Sequence, residues 1–106
     1  MAESPLQIFE KLDPQFLNLI HNTNELALSD GALPRKVKLL IAMALDAAAG
    51  TTTGVKSLAQ QALKAGATKT EVAEALRVAF YINGVGSVYT AAPALRELFP
   101  ADTLPK

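Results

Sequence analysis

This 106-residue chain predicts an all-α fold of about six helices in a single domain spanning 1–106. Three observations predict it. Alanine and leucine, the strongest helix formers, supply about a third of the residues, while aromatics are 6%. Apolar residues recur at helical spacing along most of the chain. Caps, prolines and glycines divide it at intervals of one helix.

Ser4 followed by Pro5 is a cap and first-turn pair, opening a short helix to about Leu12. Asp13 and Pro14 repeat the signal for a second helix to about Leu28, with Phe16, Leu17, Leu19, Ile20 and Leu26 on one stripe. Ser29, Asp30 and Gly31 form a turn. Pro34 precedes a third helix, Arg35 to Ala49, whose apolar residues wrap nearly all round, so burial on every side is expected. Gly50 ends it, and Thr51, Thr52 or Thr53 caps the fourth. That helix carries Val55, Leu58, Ala59, Ala62 and Leu63 at amphipathic spacing and stops at Gly66. Thr68 and Glu71 form a capping box for the fifth, with Val72, Ala75, Leu76, Ala79 and Phe80 on its apolar face. Glu74 and Arg77 are spaced to pair on its wet face. Gly84 and Gly86 break the chain. A sixth helix runs from about Ser87 to Leu98, kinked or divided by Pro93.

Composition excludes several chemistries. Ten basic residues balance ten acidic ones, which argues against nucleic acid as the partner. With no cysteine, this chain has no disulfide, thiolate metal site or sulfur nucleophile. One histidine, His21, makes an all-protein metal site unexpected and suits an exposed or interface role. No phosphate loop or dinucleotide fingerprint is present, and no cofactor is expected. The longest apolar run, Leu39 to Ala49, is interrupted by Asp46 and falls short of the roughly 20 residues that span a bilayer. The acidic N-terminus lacks a signal pattern. No membrane contact and a cytoplasmic location are expected.

The segments KVKLLIAMALDAAAG, ALKAGATKTEVAEALRVA and NGVGSVYTA, in that order over about residues 33–96, resemble the carboxymuconolactone decarboxylase family, which includes the alkyl hydroperoxidase D-like proteins. The resemblance implies that family's helical fold and a homo-oligomer, a trimer or a hexamer. It also implies where a redox member keeps its chemistry. Two cysteines would stand at Thr51 and Gly54, a histidine at Leu58 and a glutamate at Leu39. All four are replaced here. Hydroxyl and hydrogen do not exchange disulfides, and leucine carries no proton, so the dithiol peroxidase mechanism is excluded.

The remaining polar residues are candidates for other roles. Asp46 reads either as a pocket carboxylate acting as a base or, preferred, as a helix-end residue satisfied by a backbone N–H or a cation such as Lys56. Thr51, Thr52 and Thr53 offer capping, or N–H groups and hydroxyls for an anion. Tyr81, Asn83 and Tyr89 line a pocket between the fifth and sixth helices or serve as polar tips on core groups. Arg35, Lys36 and Lys38 form a basic run that is solvated or receives an anion. Two functions follow. One is a non-redox, homo-oligomeric member that binds a small molecule. The alternative is a cofactor-free decarboxylase or isomerase for a small acidic or lactone-like substrate. In that enzyme Asp46 or Tyr81 would do the acid–base work, and Lys56 or the Thr51–Thr53 N–H groups would anchor the anion.

Overall fold

The structure, a computed structural model, describes residues 4–100. Among them are six α-helices and no strand. The chain divides into two compact units, Met1–Asp30 and Gly31–Lys106.

The first unit is local in character. Ser4 accepts a hydrogen bond from the Leu6 N–H and opens a 3-10 turn, Pro5–Ile8, which runs into the single turn of α1, Phe9–Leu12. The short helix expected here therefore starts as 3-10, a usual form for a helix end. Asp13 precedes a proline and is pushed out of the helical region (φ −158°, ψ 82°). Its carboxylate accepts from the Phe16 N–H at 3.1 Å and caps α2, Pro14–Leu28. The Phe9 and Phe16 rings meet edge to face, with centroids 5.4 Å apart. Leu17 is the one buried residue of α2.

The second unit holds α3 (Arg35–Ala49), α4 (Thr52–Lys64), α5 (Lys69–Asn83) and α6 (Gly86–Leu98). α3 packs against the other three. Leu39, Met43 and Ala47 are buried one turn apart along it. Met43 and Ala47 join Val55 and Ala59 from α4, Val72 from α5, and Ala91 and Ala94 from α6 in one core cluster. Four of those seven are alanines, which let the helix axes approach closely. The α3–α4 turn is a Schellman motif. Gly50 sits at φ +84°, its N–H reaches Ala47 O, and the Thr51 N–H reaches Asp46 O at 2.9 Å. Gly66 (φ +107°) repeats the motif after α4, with Ala67 donating to Ala62 O.

Two expectations need correction. α3 is not buried all round: Ile41 and Leu45 lie exposed beside its buried stripe. Pro93 does not divide α6, which is continuous across it. The ring withdraws the N–H that would bond Tyr89 O. The neighbouring carbonyl, Thr90 O, accepts from the Thr52 hydroxyl at 2.9 Å.

The capping box forms as expected. The Glu71 N–H donates to Thr68 Oγ1 at 3.0 Å, and the Thr68 N–H donates to Glu71 Oε1 at 2.9 Å. Glu71 also accepts from Lys36 at 3.1 Å, tying the starts of α3 and α5. The Thr68 N–H, then Lys36, holds the Glu71 carboxyl below its usual range. A depressed folded pKa means its stabilisation is present above the unfolded value of about 4.5 and is lost as pH falls from there through the folded one. Glu71→Gln keeps the cap but not the charge. Urea unfolding should show wild type above Glu71→Gln at pH 7, with the gap closing towards pH 3. A gap that is constant across this range would contradict the assignment.

Candidate functional site

The side chains singled out in the sequence fall into three places rather than one. The first is the corner where α3 meets α4. Gly54 and Leu58 of α4 are half-buried and Thr51 is exposed, while Leu39, in the first half of α3, is fully buried. Asp46, one Schellman turn before Thr51, lays its carboxylate against Gly54. It does not meet Lys56. That ammonium pairs instead with Glu97 on α6 at 2.6 Å. Among the described residues no hydrogen bond or ion pair engages the Asp46 carboxylate. Thr51 occupies the cap position of α4, but its side chain makes no capping bond, which corrects the expected role. Thr52 spends its hydroxyl on α6, as above.

The second place is an apolar cleft of about 300 Å³ between α3 and α5. Ile41, Ala44, Leu45, Val78 and Ile82 form its walls, and no charged side chain lines it. Asn83 closes one end. Its amide donates to Ala48 O at 3.0 Å, tying the last turns of α5 and α3, and lies 3.4 Å from the buried Ser87 hydroxyl. Asn83 therefore belongs to this cleft and not to one between α5 and α6. Tyr81 and Tyr89 line neither wall and stand 82% and 75% exposed. A separate α5–α6 cleft of about 420 Å³ is bounded by Leu76, Phe80, Val88 and Leu95, with Arg77 at its side. The expected Glu74–Arg77 pair does not form among the described residues.

The third place is basic. Arg35, Gln61 and Lys64 line a shallow cleft of about 240 Å³. Of the basic run, Lys36 is committed to Glu71. His21 lines a small cleft of about 110 Å³ with Glu10 and Leu17 in the first unit. No group of three or more acidic, histidine or cysteine side chains gathers at metal-binding distance among the described residues. No helix formed by the described residues is long and apolar enough to cross a membrane.

The family model of the carboxymuconolactone decarboxylase family matches residues 14–97. The chain belongs to the carboxymuconolactone decarboxylase family. A crystal structure of an apo carboxymuconolactone decarboxylase family protein from Legionella pneumophila agrees with it. That chain is 35% identical and superposes with a TM-score of 0.82, covering 93% of this chain and 88% of its own. No curated protein matches significantly. Within this carboxymuconolactone decarboxylase fold, the corner that the resemblance assigns to redox chemistry holds leucine, threonine and glycine, with no cysteine anywhere in the chain.

Sequence reasoning missed the α3–α5 cleft. Its signal was present in the surplus of apolar residues on α3: Ile41 and Leu45 lie outside the i, i+4, i+8 stripe that the core uses. It also missed the approach of Asp46 to Gly54, for which no sequence spacing is diagnostic.

Proposed function

We propose that this protein is a non-redox member of its family that acts as a homo-oligomeric binding protein, assembled as a trimer or hexamer. The observation that carries the reading is the uncharged apolar surface around the α3–α5 cleft, where Leu45, Val78 and Ile82 are each more than 60% exposed. Ile41, Leu45, Val78 and Ile82 line one cleft and so form a contiguous apolar face with no charged side chain, and a second copy of the chain is the occupant we assign to it.

The small acidic ligand fits the cleft that Arg35, Gln61 and Lys64 line, with the Lys64 ammonium as the group that recognises its carboxylate. A cytoplasmic location is part of the same proposal. Incubation with an organic hydroperoxide and dithiothreitol is expected to give no protein-dependent consumption of the peroxide. Thermal-shift titration with small carboxylic acids is expected to raise the melting temperature, and Lys64→Ala to remove that rise. Peroxide turnover that scales with protein concentration would contradict the non-redox reading. A flat response to every acid would contradict the ligand class.

A further inference from the structure

We infer that Asp46 is the N-terminal counter-charge of α4, supplied from α3 through the notch that Gly54 leaves. This goes beyond the proposed function and does not depend on it.

A helix N-terminus presents unpaired backbone N–H groups and about half a positive charge. A capping side chain or an acid in the first turn usually answers both. α4 has neither: Thr51 makes no side-chain cap bond, and its first turn contains no acidic residue. The next hydroxyl along, that of Thr52, is turned to Thr90 O.

Gly54 is the third residue of α4. Its backbone does not need glycine. Gly50, Gly66 and Gly84 are the glycines with positive φ, and Gly54 is not among them. Glycine inside a helix is otherwise less favourable than alanine. Space is what favours it, as long as the Asp46 carboxylate keeps its place. A Cβ at position 54 would stand 2.8 Å from Asp46 Cγ and 3.2 Å from Thr51 Cγ2, with Asp46 Oδ2 closer still. Carbon atoms pack at about 3.5–4.0 Å. The carboxylate therefore occupies the volume of a side chain at 54, over the first turn of α4.

The fold places it there. The Asp46 carbonyl accepts the Thr51 N–H at 2.9 Å, so residue 46 is fixed at the junction of the two helices. Lys56, the nearest cation in sequence on α4, is held by Glu97. The Asp46 charge is thus left to act on the helix end, and the corner is filled by the chain's own anion.

A double-mutant cycle tests this, with melting temperatures measured at one protein concentration for wild type, Gly54→Ala, Asp46→Ala and the double variant. Gly54→Ala is expected to lower the melting temperature by several degrees in wild type. In the Asp46→Ala background the same change is expected to leave it unchanged or raise it. An equal fall in both backgrounds would overturn the inference. Should Gly54→Ala alone fail to fold, the double variant decides: stability at or above that of Asp46→Ala supports the interlock, and failure to fold refutes it. Asp46→Asn reads the charge separately. It is expected to melt below wild type at low ionic strength, with the gap shrinking at about 1 M salt. Equal melting at low ionic strength would overturn the counter-charge role.

Discussion

Met43→Ala is expected to lower the unfolding free energy by about 2–5 kcal/mol, a large share of the 5–15 kcal/mol typical of a domain. Met43 has no exposure and touches the shared core of α3, α4, α5 and α6. The cost comes from two sources. Removing the thioether chain forfeits its burial, and the cavity left behind must either collapse or stay empty. Four of the six partners of Met43 in that cluster, Ala47, Ala59, Ala91 and Ala94, are alanines, and the other two are Val55 and Val72. Alanine has no rotamer through which to move into a void, so any collapse must come from the valines and from the leucines packed round the cluster. Met43→Leu nearly conserves volume and is expected to cost less than about 1.5 kcal/mol. Urea denaturation at fixed protein concentration checks both: the midpoint should fall sharply for alanine with the m-value retained. A loss below about 1 kcal/mol for Met43→Ala would show that the core is not centred on this residue.

Ile82→Glu is expected to dismantle the proposed assembly while leaving the protomer folded. Ile82 is 78% exposed in the single chain, so a glutamate there meets water and disturbs no packed neighbour. In an assembly that covers the α3–α5 cleft, the same carboxylate would be desolvated among Ile41, Leu45 and Val78, with no cation lining the site. Truncations at the centre of an interface already cost about 2 kcal/mol or more, at least a 30-fold loss of affinity, and an unpaired charge exceeds that. Helical circular dichroism should be unchanged. Gln60→Glu, an exposed polar position on α4, should leave assembly intact.

The helices were legible because their ends are chemical. Pro34 before α3 and Gly50 after it, the Thr68–Glu71 box, and Asp13 ahead of Pro14 each fix a boundary through one or two local hydrogen bonds. Such bonds depend on residues within five positions of each other, and a sequence displays those directly. What crosses between helices was not legible. Lys56 had Asp46 and Glu97 as possible partners, and its long flexible side chain gives no register by which to choose. The threonine run looked like a cap, yet the Thr52 hydroxyl donates to Thr90 O on α6, and nothing local in the sequence names so distant an acceptor. α3 looked buried on every side because periodicity counts apolar residues without saying what covers them. Its surplus on one flank marks either a wider core or an interface, and in the single chain it is left bare. The family positions were readable only as replacements. That Leu39 is fully buried and that Asp46 stands in for a side chain at Gly54 required coordinates.

The claim on which the account rests is that this protomer is completed by copies of itself across the surface around Ile82. Sedimentation velocity on the wild-type protein at micromolar concentration tests it most directly. A single species at three or six times the 11.2 kDa protomer mass is predicted, shifting towards one protomer in Ile82→Glu. A wild-type protein that sediments as a stably folded 11.2 kDa monomer would contradict it.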